Sequence, residues 1–475
     1  MSDCCATSNN GKGYDIAVVG AGSAGFSAAI AAAEQGAHDA LIGYGTIGGT
    51  CVNTGCVPSK TLIRAAETLH QASAAKRFAG INARAHAEDW RALVQQKDEL
   101  VAGLRQSKYA DLLPAYNGLT YVEGKARLAE GGVAVNGDLV KAERVIITTG
   151  ARSALPSIPD IEEANYLTST SALALETLPK SLLVIGGGFI GAELAQMFAR
   201  AGVTVTIVCR TRLLPAAEPE IGEALSKYLR NEGIRLNCGV AYQLIKRASD
   251  GVSLVVKENG QDNALTAERV LIATGRAPNV EGLGLAEAGI AQASDGTIQV
   301  DDRMQTTRPG VYAAGDVTGR DQFVYMAAYG AKIAAKNALN SNSLRYDNAA
   351  MPAVVFTDPQ VASVGLTEAA ARARGFQVDT SVLPLDYLPR ALAARDTRGL
   401  IKLVAEAASG KLLGAHILAP EGADSIQTAA LAIKCGLTVQ QLAETIFPYL
   451  TTVEGLKLAA QTFAKDVAKL SCCAG

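Results

Sequence analysis

Apolar residues along the chain gather in short runs that end on glycine. Asp15-Ile-Ala-Val-Val-Gly-Ala-Gly-Ser-Ala-Gly25 is one such run leading into G-x-G-x-x-G, and Ser181-Leu-Leu-Val-Ile-Gly-Gly-Gly-Phe-Ile-Gly191 repeats it. Such short unbroken runs read as buried strands entering a turn. Ala-rich helical sequence follows over 26–35 and 192–200, and Gly36 and Gly202 suit the helix stops. Two more apolar runs, 145–150 and 270–275, end in Thr-Gly, and 311–316 ends in Gly-Asp. After Met351-Pro352 the pattern changes: strand-like 353–356, 400–404 and 412–418 alternate with helical patterns around 367–374, 422–435 and 438–446. The expectation is an α/β chain with a separate C-terminal α/β domain. Residues 16–33 carry no charge over about 18 positions, the lower limit for a membrane span. Their Gly, Ala and Ser content reads instead as strand, turn and helix.

The glycine spacing has a chemical reason. The first glycine (Gly20, Gly186) allows a tight turn, the second (Gly22, Gly188) lets backbone approach a pyrophosphate, and the third (Gly25, Gly191) lets helix pack on strand. One fingerprint is a weak signal; two, each between a strand and a helix, predict two dinucleotide-binding folds of the Rossmann type. The first copy spans more chain before its Thr-Gly than the second, and Cys51 and Cys56 lie in that extra length.

Composition narrows the class. At about 150 residues per domain, 475 residues suggest about three domains. A net charge of −2 offers no basic excess for nucleic acid or anionic membrane. The first thirteen residues are polar, so no secretory signal is expected, and a cytoplasmic location is. Nine cysteines, an odd number, do not read as a secreted disulfide framework. They group as Cys4-Cys5, Cys51 with Cys56, and Cys472-Cys473; Cys209, Cys238 and Cys435 are expected to be packing residues.

Cys51 and Cys56 could cycle between dithiol and disulfide or chelate a soft metal ion; two buried structural cysteines are the plain alternative. Adjacent cysteines fit normal disulfide geometry poorly. Cys472-Cys473, close to the chain end, therefore suits grasping a thiophilic cation and handing it on. Cys4-Cys5 has the same adjacency but reads equally well as an unstructured tail. After the second fingerprint, the run 203–209 ends in Cys209, followed by Arg210 and Arg212. With no carboxylate there to reject a 2′-phosphate and two guanidiniums to hold one, NADPH is favoured over NADH; solvated arginines are the alternative.

Gly48-Gly-Thr-Cys-Val-Asn-Thr-Gly-Cys-Val-Pro-Ser-Lys60, the two fingerprints and Ala313-Ala-Gly-Asp316 together resemble the pyridine nucleotide–disulfide oxidoreductases over residues 14 to 475. Within that family, Phe447-Pro-Tyr-Leu-Thr-Thr-Val-Glu-Gly-Leu-Lys457, Leu388-Pro-Arg-Ala391 and Leu470-Ser-Cys-Cys-Ala-Gly475 resemble the mercuric reductases. The resemblance implies a flexible tail (1–13), an FAD domain (14–155 with 279–350), an NADPH domain (156–278) and a dimerisation domain (351–475). It implies FAD contacts from Gly20, Gly22, Gly25, Gly45, Thr50, Lys60, Ala126, Asp316 and Val324. For NADPH it implies Gly186, Gly188, Gly191, Arg210 and Arg212. Cys51, Cys56, Lys60, Glu193 and Tyr449 would serve catalysis, with Cys56 facing the flavin, Cys51 facing substrate, and Lys60 near the flavin paired with Glu193. Cys472 and Cys473 would pass Hg(II), carried as a thiol complex, to Cys51 and Cys56 of the other subunit of a homodimer.

Three positions depart from the family pattern. Disulfide reductases of the family carry His-Pro-Thr-x-x-Glu near the C-terminus, and here Tyr449 stands at the histidine position before Glu454. With a reference pKa of about 10, tyrosine is a poor neutral-pH base, though its hydroxyl could orient a bound metal complex. Gly43 stands where an acidic residue usually binds the FAD ribose, and Asp39 is four residues too early. Phe189 replaces a tyrosine that covers the flavin in several relatives. The resulting expectation is reduction of Hg(II), with a glutathione- or lipoamide-type disulfide reductase and a non-catalytic mercury-sequestering protein as alternatives.

Overall fold

The computed structural model describes residues 13–469, so the expectations for Cys4, Cys5, Cys472 and Cys473 fall outside the described residues. The chain divides into two compact units: Met1–Pro58, Gln96–Ala154 and Arg276–Asp347 make the first, and Ser59–Gln95, Leu155–Gly275 and Asn348–Gly475 the second.

In the first unit a seven-stranded sheet runs, in spatial order, Leu119–Glu123, Asp39–Gly43, Tyr14–Val19, Asp138–Ile147, Gly132–Val135 and Ala126–Ala129; Val311–Ala313 also pairs with Asp138–Ile147. The central strands are parallel, with Ile16 opposite Asp39 on one side and Arg144 on the other. Helix Ser23–Ala33 packs against helix Val324–Leu339, a close approach permitted by the alanines that fill both. The uncharged stretch thus folds as strand, turn and helix. Among the described residues no helix is long and apolar enough to cross a membrane.

The second unit holds a parallel sheet in the order Arg235–Cys238, Thr204–Cys209, Ser181–Ile185, Arg269–Ile272, and an antiparallel sheet of Ala241–Ala248, Gly251–Glu258 and Gln261–Ala267. Its C-terminal part is a five-stranded antiparallel sheet ordered Pro352–Val355, Gln360–Gly365, Leu412–Ala419, Leu400–Glu406, Val378–Pro384. Helices Glu368–Ala373, Gly422–Lys434 and Val439–Glu444 lie where helical patterning placed them. The strands Gln360–Gly365 and Val378–Pro384 have weak sequence signals, because Gln, Ser, Asp and Thr interrupt them. Buried Lys402 is enclosed by Glu218 at 3.1 Å, Glu220 at 2.8 Å and Glu368 at 3.0 Å, tying helices Pro219–Asn231 and Glu368–Ala373 to strand Leu400–Glu406.

Candidate active site

The first fingerprint is shaped by contacts that only glycine allows. Gly20 has φ +118°, and a Cβ there would lie 2.4 Å from the Thr148 carbonyl oxygen. The Thr148 hydroxyl donates to the carbonyls of Val19 and Gly20 at 3.0 Å, bracing the turn from the Thr-Gly run. A Cβ at Gly25 would lie 1.7 Å from the Gly20 oxygen, so helix Ser23–Ala33 begins in direct contact with the strand. Gly22 caps that helix without any side-chain acceptor, leaving first-turn N–H groups for an anion. Gly186, Gly188 and Gly191 repeat this geometry in the second unit at helix Phe189–Arg200. Both turns therefore fit a dinucleotide pyrophosphate.

The cysteine motif is fastened to the first fingerprint. Gly48 N–H donates to the Ala21 carbonyl at 2.8 Å, and Gly22 and Gly48 form a parallel bridge. Cys51 lies in the short helix Gly49–Asn53, and Cys56 opens the 19-residue helix Cys56–Ala74, whose N-terminal partial charge favours an anionic sulfur. Asn53 donates to the carbonyls of Ile47 and Gly49 at 2.9 and 2.8 Å and accepts from Arg105 at 3.1 Å, which fixes the loop. Tyr109 lies near both thiols and Tyr325 near Cys56. Burial first, and the two sulfurs last, raise the pKa of Tyr109; burial, then Asp321, then the Cys56 sulfur push Tyr325 up to about 12. Both hydroxyls thus stay protonated as donors. Thr50 and Gly45 are exposed on the same stretch.

Elsewhere in the first unit, Asp316 follows the Ala-Ala-Gly run and accepts from Arg276 at 3.2 Å; burial, partly offset by Arg276, raises its pKa. Val324 opens helix Val324–Leu339, and Ala126 opens the sheet-edge strand Ala126–Ala129. Asp39 is fully buried with neither carboxylate oxygen partnered, at the opposite end of its strand from Gly43, so it reaches no ribose. The place of the usual acid is filled from a neighbouring strand. Tyr121 lies opposite Leu41, on the face that Gly43 shares. A Cβ at Gly43 would lie 2.6 Å from the Tyr121 hydroxyl and 2.7 Å from Ala21 Cβ. An acidic side chain cannot fit there, and a phenol hydroxyl stands beside the fingerprint turn instead. No local spacing links Tyr121 to Gly43; only strand register does.

In the second unit, Lys60 and Glu193 meet at 2.7 Å, as the resemblance implied. Glu193 also accepts from Phe356 N–H at 2.8 Å, and the Lys60 ammonium lies 4.9 Å from the Phe356 ring centroid, a contact the sequence did not signal. Lys60, Arg64, Glu193, Phe356, Arg390 and Thr452 border a cavity of about 260 Å³. Arg210 is exposed after Cys209, whereas the Arg212 guanidinium turns back to the carbonyls of Pro215 and Ala217 and braces its own loop. Tyr449 is half exposed, and Glu454, its pKa raised by burial, accepts from Leu450 N–H at 3.2 Å. Burial lowers the pKa of His70 and of His416, which also contacts the Leu366 carbonyl at 3.1 Å; neither is a neutral-pH acid for the site. The leftover cysteines are not all scattered, since Cys238 lies directly opposite Cys209.

Residues 14–334 match the pyridine nucleotide-disulphide oxidoreductase family and 351–460 match its dimerisation domain. A mercuric reductase of Staphylococcus aureus is 46% identical over 469 residues, covering 98% of this chain and 85% of that one. Another, of Bacillus cereus, is 48% identical over 464 residues, covering 97% and 73%. Among solved structures, the Cu(II) complex of the HOCl-induced flavoprotein disulfide reductase RclA from Escherichia coli matches with a TM-score of 0.84 and 30% identity, over 96% of this chain and 100% of that one.

Proposed function

The chain belongs to the pyridine nucleotide-disulphide oxidoreductase family, and from that premise we propose that it is a homodimeric, cytoplasmic flavoprotein that reduces Hg(II) to Hg(0) with NADPH. The observation that carries this reading is a dithiol fastened to a dinucleotide turn, in a chain with Tyr449 at the place of the histidine acid.

FAD and NADPH, when bound, supply a hydride-derived electron pair to the site. The Gly20–Gly25 turn would hold FAD, with Asp316, Val324, Ala126, Gly45, Thr50 and Lys60 as further contacts and the Tyr121 hydroxyl available to its ribose. The Gly186–Gly191 turn with Arg210 and Arg212 would hold NADPH, Arg212 from the loop that its Nη2 braces. Glu193 fixes the Lys60 ammonium by charge and Phe356 by its ring face, so the cation is held in one place.

Cys51 and Cys56 bind Hg(II) as two thiolates, releasing two protons; soft thiolate sulfur suits so polarisable a cation. Cys472 and Cys473 of the partner subunit deliver the ion as a thiol complex by ligand exchange. Tyr449 orients the complex through its hydroxyl. Two electrons convert Hg(II) to Hg(0), which no longer binds thiolates and leaves. FAD belongs to 14–155 with 279–350, NADPH to 156–278, and the dimer contact to 351–475.

A disulfide reductase needs an acid to protonate its leaving thiolate, which Tyr449 supplies poorly. A sequestering protein needs no electron path. The test is NADPH oxidation with and without Hg(II) in excess thiol, comparing the parent with Cys472→Ala/Cys473→Ala. Metal-dependent oxidation by the parent is expected. The variant should keep flavin reduction but lose turnover of thiol-bound mercury. Absence of metal-dependent oxidation in the parent overturns the proposal.

A further inference from the structure

Two cysteines that no step above uses stand together under the second fingerprint. Cys209 closes strand Thr204–Cys209, Cys238 closes Arg235–Cys238, and the strands run parallel with these two residues in register. Register partners on neighbouring strands point to one face about 5 Å apart. The two side chains are not joined as a disulfide, and the Cys209 thiol donates to the Thr211 carbonyl at 3.9 Å. Cys209 is buried and Cys238 partly open, so a small ion can enter from the Cys238 side. Above them, a Cβ at Gly187 would lie 3.2 Å from Cys209 Sγ, and the Gly187 carbonyl accepts from Leu214 N–H at 2.7 Å. The sulfur therefore sits against the turn that must receive the pyrophosphate of the pyridine nucleotide.

We propose that Cys209 and Cys238 form a second dithiol that chelates a thiophilic cation of the Hg(II) type, and that this metal and the pyridine nucleotide exclude one another. Two thiols and one divalent cation give a bis-thiolate complex and two protons released to solvent; no electrons move. Among the described residues no group of three or more Cys, His, Asp or Glu forms a metal site, so the pair suits a two-coordinate soft cation and not Zn(II), which takes four ligands. An ion bridging the two sulfurs needs more room than the thiol protons did. On the Gly187 side a Cβ would already stand only 3.2 Å from Cys209 Sγ, so the space there is no larger than the methyl that glycine lacks, and a bound ion presses on the Gly186–Gly188 turn that admits a pyrophosphate. The proposal does not rest on the catalytic reading: a chain that reduced no mercury would still hold the ion here.

The test uses the full-length, FAD-loaded chain with Cys4, Cys5, Cys51, Cys56, Cys435, Cys472 and Cys473 changed to Ala, leaving only this pair. Flavin retention checks its fold. After HgCl₂ and desalting against free cysteine, one mercury per chain is expected, with a sulfur–mercury charge-transfer band. Further Cys209→Ala or Cys238→Ala should abolish both, and ZnCl₂ should leave no bound metal. The Kd for NADP⁺ should rise at least tenfold in the mercury-loaded form. Mercury retained after either further substitution, no mercury held at all, or an unchanged Kd for NADP⁺ overturns the proposal. In the unsubstituted protein, mass spectrometry after alkylation should show Cys238 protected by Hg(II); free alkylation at saturating metal overturns it as well.

Discussion

Asp39 gives the sharpest quantitative prediction. Its carboxylate is fully buried with no hydrogen-bond partner; burial, and then the charge of Asp15, push its pKa up to about 8 from an ordinary 3.8. Between those two values the unfolded chain has released this proton and the folded chain has kept it. Stability therefore falls as pH rises through that window. The loss is absent below 3.8, grows by about 1.4 kcal/mol per pH unit, and levels off above about 8. At about pH 7 it amounts to roughly 4 kcal/mol. Asp39→Asn keeps the shape and is neutral at every pH. The variant should match the parent near about pH 4 and exceed it by roughly 4 kcal/mol near about pH 7. Urea unfolding of both FAD-loaded proteins across this range reads the difference directly, because all other titrating groups are common to both. A difference that does not change with pH, or a parent that gains on the variant as pH rises, refutes an orphan carboxyl kept neutral by burial.

Tyr121→Phe removes the hydroxyl beside Gly43 and should loosen FAD about three- to tenfold, the worth of one hydrogen bond, measured as the dissociation constant in apoprotein reconstitution; unchanged FAD affinity refutes the ribose assignment. Glu193→Gln keeps an acceptor for Phe356 N–H but frees Lys60, so flavin reduction by NADPH should slow about tenfold while the unfolding midpoint moves little. Equal rates in stopped-flow absorbance would show that Lys60 needs no fixed position. Lys402→Met leaves Glu218 and Glu220 without the cation they share, while Glu368 keeps Arg372 at 3.0 Å, and should destabilise the protein by about 3–5 kcal/mol in denaturant unfolding. A loss under about 1 kcal/mol would mean that water compensates those carboxylates.

The two fingerprints and the Cys51–Cys56 motif were legible in the residues themselves, and the missing histidine acid only against the pattern of the family the chain resembles. Each is local: a glycine that must take positive φ, or two thiols a few positions apart, specifies its geometry within a single turn of chain. The resemblance carried Lys60 and Glu193 as partners, and their 2.7 Å contact joins residues far apart in sequence. Other features had no sequence signal at all. Tyr121 fills the space at Gly43, and Cys238 meets Cys209, only because parallel strands adopt one register. Arg212 reads as a phosphate ligand, and only the fold shows that one of its nitrogens, Nη2, also braces the loop that follows. The sequence by itself determined the cofactor turns and the reactive thiols, because glycine sterics and sulfur chemistry act over a few residues. The tertiary structure alone decided which distant side chains stand beside them, because strand order and register follow from burying apolar faces across the whole chain.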